Sequence, residues 1–196
     1  MRRIMLEIAY DGTAYHGWQI QPGVPTIEAE INKALSSLLG EQVEVIGASR
    51  TDSGVHALGN VAVFDTESAF PAEKLCLAVN YRLPDDIRVR SSREVAADFH
   101  PRKVNCIKTY EYKILNSRID IPTSRLYSYH IYYSLDEHLM QEAGKYLIGE
   151  HDFVSFCSVN TQVKETVRTI YDLDVVKDGD MITIRVRGNG FLYNMV

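Results

Sequence analysis

The sequence predicts an α+β protein built as two tandem ferredoxin-like halves, each a β-α-β-β-α-β unit. These form a largely antiparallel sheet with helices on one face, and the second half is cut short. Three observations lead there. Residues 3–95 alternate short apolar strand runs with two helical periodicities in the order β-α-β-β-α-β. A further strand, helix and hairpin follow between residues 108 and 186. No second helix follows Gly188, and the sequence stops in the apolar run Phe191-Leu192-Tyr193-Asn194-Met195-Val196, which reads as a truncated second unit. The halves are placed at residues 1–105 and 106–196.

Arg3 to Tyr10 is a mostly apolar run and the first strand. Residues 11–25 carry Gly12, Gly17, Pro22, Gly23 and Pro25 and read as a loop. Thr26 is a good N-cap for a helix whose apolar positions are Ile27, Ile31, Ala34, Leu35 and Leu38, and Gly40 suits its stop. Val43–Gly47 and Val61–Phe64 read as strands around a polar, glycine-bearing loop at 48–60. Pro71 opens a second helix running to Tyr81, and Asp86–Val95 is the next strand. In the second half, Lys108–Leu115 alternates, with Tyr110, Tyr112 and Ile114 on one face and Glu111 and Lys113 on the other. Ser134-Leu135-Asp136-Glu137 reads as a capping box for a helix ending near Leu147. Ile170–Val176 and Met181–Val186 flank Asp178-Gly179, a hairpin signal.

The chain has 196 residues, 45% hydrophobic and 24% charged, which is ordinary for a globular protein with a sizeable core. No run approaches the roughly 20 apolar residues of a membrane span, and the N-terminus lacks a signal-peptide pattern. Cys76, Cys106 and Cys157 are odd in number and have apolar neighbours, so they read as buried free thiols of a cytoplasmic protein. The six histidines show no paired metal-ligand spacing and there is no CxxC, so no metal site is expected. The net charge of −5 speaks against nucleic acid, but its distribution is uneven: −5 over residues 1–80, +4 over 81–125 and −4 over 126–196. The central cations are Arg82, Arg88, Arg90, Arg93, Arg102, Lys103, Lys108, Lys113, Arg118 and Arg125. Such a stripe can supply phosphate contacts; on charge alone, a solvated sheet face explains it better.

The stretch that carries chemistry is Gly47-Ala48-Ser49-Arg50-Thr51-Asp52-Ser53-Gly54-Val55-His56-Ala57. Asp52 stands two residues after a cation, which favours the ionised carboxylate, and two before a glycine, which permits positive φ or close approach of a ligand. By itself the segment reads better as a plain turn in which Thr51, Asp52 and Ser53 bond their own backbone.

The segment resembles the GRTDxGVHA signature of the tRNA pseudouridine synthase A family. It matches at Arg50, Thr51, Asp52, Gly54, Val55, His56 and Ala57, and departs at Ser49, where the family has glycine. Other segments are similar to the family in order along the chain. They are Tyr10-Asp11-Gly12-Thr13 with Gly17-Trp18-Gln19, Asn80 with Leu83-Pro84 and Asp86-Ile87, and Asp98-Phe99-His100 with Arg102. Lys108 with Tyr110 and Tyr112, Gly149 with His151-Asp152-Phe153, and Gly188–Val196 follow.

The resemblance implies an isomerase that converts uridine to pseudouridine at positions 38–40 of the tRNA anticodon stem-loop, with no cofactor. Asp52 is then the catalytic carboxylate; whether it attacks C1′ or C6 or assists elimination at the sugar stays open. Tyr110 is expected to stack on the target base, Arg50 to pair with Asp52 and contact phosphate, and Leu192 to pack beneath the base or Tyr110. His56 is expected to order the loop. The family also implies a homodimer that holds tRNA across both subunits, with no membrane association. Because the family pattern continues past Val196 into an arginine and a further segment, a chain ending there is expected to have impaired activity. The rival from another class is a non-catalytic RNA-binding protein of the same ferredoxin-like (RRM-like) fold, in which a carboxylate at Asp52 would serve no purpose.

Overall fold

Strand β1 (Arg2–Tyr10) buries Ile4, Leu6, Ile8 and Tyr10 and turns the residues between them to the other face, as a period of two requires. It is central in a sheet with β2 (Ile46–Gly47), β3 (Ala57–Thr66) and β4 (Ile87–Val95), in the order β2-β3-β1-β4 with every pair antiparallel. Helices α1 (Ile27–Leu39) and α2 (Ala72–Asn80) supply Ile27, Ile31, Leu35, Leu75 and Val79 to the same apolar cluster as those β1 residues. Both helices therefore cover one face, and the observed element order is the β-α-β-β-α-β order read from the sequence. The computed structural model describes residues 1–158 and 165–196. It contains two compact units, Met1–Val104 and Asn105–Val196.

Three local expectations in the first unit need correction. First, β3 begins at Ala57, four residues before Val61 and inside the span read as a loop. Val43 and Val45 are buried but not in a strand, because α1 takes their amides: Val43 N donates to Ser36 Oγ at 2.9 Å and Val45 N to Asn32 Oδ1 at 2.9 Å. Thr26 does stand at the N-cap of α1, but its side chain makes no cap bond. It is fully buried, and its hydroxyl has no hydrogen-bond partner among the described residues. A buried unsatisfied hydroxyl costs about 1–3 kcal/mol, and removing it isosterically is neutral or better. Thr26→Val is therefore expected to raise stability by about 1 kcal/mol in denaturant unfolding. A loss of 1 kcal/mol or more would show a partner for that hydroxyl in solution.

In the second unit, β5 (Lys108–Asn116), β6 (Tyr129–Ile131), β7 (Gly149–Asp152), β8 (Val167–Asp178) and β9 (Met181–Gly188) form a sheet in the order β6-β5-β9-β8-β7. Among the described strand pairs of this sheet, β5 with β6 is parallel and the others are antiparallel. The sequence did not foretell β6 or β7: one has three residues, and the other, Gly-Glu-His-Asp, lacks an apolar face. Helix α3 (Glu137–Lys145) is capped by Asp136, whose carboxylate accepts from the amides of His138 and Leu139, so Ser134 is not the cap. The Gln141 carboxamide of α3 bonds Leu173 O at 3.0 Å and Val175 N at 2.7 Å, pairing with β8 much as a neighbouring strand would. The hairpin turn is Gly179-Asp180, one residue later than expected, since Asp178 pairs with Met181 and Gly179 takes φ +57°.

All three cysteines are free thiols, but none is fully buried and Cys106 is exposed, contrary to the expectation of buried thiols. Among the described residues no helix is long and apolar enough to cross a membrane.

Candidate active site

The loop from residue 48 to 56 leaves β2 and enters β3 beside two irregularities in the β1 pairings. One falls between Ile8 and Tyr10 against β3, the other between Glu7 and Ile8 against β4. Such breaks bend strand ends and are common next to functional sites. Arg90, at the second, bonds both Glu7 Oε1 (3.1 Å) and Leu58 O (2.8 Å).

Entry to the loop is fixed by Ala48 N donating to Val61 O (2.7 Å), Asn60 Nδ2 to Ser49 O (3.1 Å) and Arg102 Nε to Gly47 O (2.7 Å). Asp52 then opens a four-residue turn: Val55 N donates to Asp52 O at 3.1 Å, and Gly54 at the third position takes φ +77°. That is the type II position that requires glycine. The neighbouring hydroxyls do not turn back on their own backbone. Thr51 Oγ1 lies 2.8 Å from Tyr10 Oη, and Ser53 Oγ donates to Tyr15 O at 3.3 Å. Backbone bonds add Trp18 N to Thr51 O (3.0 Å) and Gly54 N to Tyr15 O (3.2 Å).

Two glycines make this close approach possible. A Cβ on Gly12 would enter the Val55 carbonyl, and one on Gly17, which has φ +85°, would lie 2.5 Å from Thr51 O. Behind the loop the buried Trp18 ring packs on Gly47, where a Cβ would come within 2.6 Å of the indole.

His56 closes the far end of the loop. Its Nδ1 lies 3.1 Å from Gly12 N and 3.0 Å from Asp11 Oδ1, so it accepts from one or, when protonated there, donates to the other. Asp52 and Thr51 are partly exposed, and Arg50, Ser53 and Gly54 are exposed, so Asp52 belongs to a well-anchored turn that solvent reaches. Ser49 has no positive φ, so its departure from the family's glycine imposes no backbone strain.

Tyr15 anchors the supporting segment. Its hydroxyl donates to Asp86 Oδ1 at 2.6 Å, and burial, then the bond to Asp86 and its charge, push the phenol above the ordinary tyrosine range. The folded state therefore holds this proton more tightly than the unfolded chain does. The stabilisation is fully present below about pH 10, the unfolded tyrosine value, and is lost as pH climbs towards the raised folded value. Tyr15→Phe is expected to flatten that alkaline fall in a plot of unfolding free energy against pH. An unchanged alkaline limb would show that Tyr15 does not hold its proton this way.

In the second unit, Tyr110 lies on β5 opposite Val186 and meets Phe191 edge-on, with ring centroids 4.9 Å apart. Leu192 is buried in a cluster with Phe153, Ile170, Leu173 and Val186, against which Tyr110 packs. Arg50 and Asp52 thus share one loop of the first unit, and Tyr110 and Leu192 share one apolar cluster of the second. Part of the central cation run is already engaged locally: Arg88 bonds Pro84 O and Asp85, besides Arg90 with Glu7 and Arg102 with Gly47.

Residues 7–102 and 143–196 match the family model described as tRNA pseudouridine synthase. The chain belongs to the tRNA pseudouridine synthase family. Proteins named tRNA pseudouridine synthase A resemble it along its whole length. The one from Ruminiclostridium cellulolyticum is 51% identical over 197 residues, and the one from Thermoanaerobacter sp. (strain X514) is 48% identical over 196; each match covers 100% of this chain and 80% of the relative. The one from Halalkalibacterium halodurans is 44% identical and is covered over 75% of its length. In this synthase the sequence marked Asp52 and Arg50 but gave no role to Tyr10, Tyr15 and Trp18, which hold their loop. Those three belong to a segment some forty residues earlier, and only strand pairing brings them to it.

Proposed function

We propose that the protein isomerises uridine to pseudouridine in tRNA, at positions 38–40 of the anticodon stem-loop, with Asp52 as the catalytic carboxylate. The observation that carries this reading is the setting of Asp52. It is an accessible aspartate at the head of a turn held on both sides by Tyr10, Tyr15 and Trp18. A charged group fixed in place before substrate arrives costs little to position as charge develops at the reacting sugar or base. The family relatives named as tRNA pseudouridine synthase A support the same activity.

The reaction breaks the N1–C1′ bond and forms a C5–C1′ bond; the C5 proton is lost and N1 gains one, so no redox partner is consumed. Arg50 pairs with Asp52 and contacts a phosphate, Tyr110 stacks on the target base, and Leu192 packs beneath it. Extruding a base costs a few kcal/mol, which aromatic stacking offsets. The enzyme works in the cytoplasm as a homodimer.

The test is incubation with an unmodified tRNA transcript, followed by site-resolved detection of pseudouridine. Product confined to positions 38–40 is expected. Tight tRNA binding with no pseudouridine would overturn the proposal in favour of an RNA-binding protein. Light scattering at the mass of a monomer would overturn the dimer.

A further inference from the structure

We infer that a recess in the second unit, lined by Lys108, Arg168, Asn189, Gly190 and Phe191, holds a backbone phosphodiester of the bound RNA. The inference rests on the reading of the protein as an RNA-modifying enzyme, and it concerns residues to which that reading gives no role.

Strand register builds the recess. β9 lies between β5 and β8, and its last residue, Gly188, pairs with Lys108 on one side and Ile170 on the other. Two cations distant in sequence, Lys108 and Arg168, are thereby set on either side of one strand end. Gly188 permits the approach, since a Cβ there would lie 2.9 Å from Thr169 O. The recess measures about 330 Å³, is open to solvent, and has no carboxylate among its described lining residues.

The donors are oriented rather than loose. Arg168 spends Nη1 on the carbonyls of Glu165 (3.1 Å) and Val167 (2.6 Å), which holds the guanidinium in place. Those bonds leave, among the described residues, its Nε–Nη2 edge, the planar fork that matches two phosphate oxygens. Its Nε would be 3.5 Å from a Cβ on Gly190, so the glycine keeps the approach clear. Asn189 Oδ1 accepts from Thr169 N at 3.0 Å while Asn189 N donates to Thr169 O at 3.1 Å. That exchange turns the carboxamide so that its NH₂ end, a donor, points away from Thr169.

Phe191 supplies the remaining wall and touches the Tyr110 ring edge-on. Two cations, an amide donor and neighbouring aromatics are the components of a single-stranded nucleic-acid contact, in which phosphates position the chain and rings take the bases. A free phosphate would use the same donors but would have no use for the aromatic wall.

The test has two arms. In the first, tRNA affinity is measured against salt for the parent protein, Lys108→Gln and Arg168→Gln, all carrying Asp52→Asn so that the readout does not depend on isomerisation. Each charge removal is expected to weaken binding about tenfold, the scale of one charged hydrogen bond. It should also lower the slope of log K against log salt by about one. Lys108→Arg, which keeps the charge, should keep the slope. In the second arm, inorganic phosphate is titrated against isotope-labelled protein, and saturable shifts at Gly190 and Arg168 Nε are expected. An unchanged salt slope in both folded Gln variants overturns the inference. So does saturable phosphate binding with an unchanged RNA slope, which would assign the recess to a free anion. Because the activity test needs neither arm, either result can stand without the other.

Discussion

Asp52→Asn is expected to lower the single-turnover rate of pseudouridine formation by on the order of 10³-fold or more, the scale on which removing a nucleophile acts. Affinity for tRNA should stay within about threefold, tending tighter, because one negative charge leaves the neighbourhood of a polyanion. Asparagine keeps the shape and can still head the turn, since that bond uses Asp52 O rather than its carboxylate. Other carboxylates of the same scaffold have structural work: Asp11 accepts from Thr13 N and Oγ1, and Asp86 accepts from Tyr15. Quench-flow or manual time courses on unmodified tRNA give the rate, and circular dichroism checks folding. A variant that keeps a rate within tenfold of the parent would transfer the chemistry to another residue. One that fails to fold would make Asp52 a structural residue instead.

Gly17→Ala should damage both stability and turnover. The residue sits at φ +85°, which costs an alanine about 1–2 kcal/mol, and the new methyl would press on Thr51 O from 2.5 Å. Overpacking of that kind adds about 1–3 kcal/mol. The combined loss of about 2–5 kcal/mol would be read from denaturant midpoints. Relief by shifting Thr51 moves Asp52 with it, and a displacement near 1 Å can cost about 10²-fold in rate. Gly23→Ala is the matched control: its φ is +79°, yet nothing lies within 4 Å of the position. It should lose only the conformational part, with turnover unchanged. Equal losses in the two variants would mean that close packing at Gly17 does not position the loop.

The contrast between the two units shows what a linear reading can capture. In the first, apolar periodicity and the flanking glycines mark β1, α1, α2 and β4 to within a residue or two, because each buries one regular face. Val43–Val45 misled for a specific reason: its apolar residues are buried as a strand's would be, but its amides are satisfied by side chains of α1. In the second unit β7 carries Glu150, His151 and Asp152, so its pairing with β8 leaves no trace in hydropathy. Asp52 was legible as part of a motif. The hydrogen bonds that immobilise it were not, since they join residues 38, 41 and 44 positions apart.

Those long separations also order events in time. The turn bearing Asp52 is held across the β1 and β3 register, by non-local contacts of the kind that slow folding. On warming, fraying of the β1 and β3 ends beside that turn releases Asp52 while the central register, on which α1 and α2 pack, still holds. Heat inactivation of this enzyme should therefore precede the loss of its helical signal.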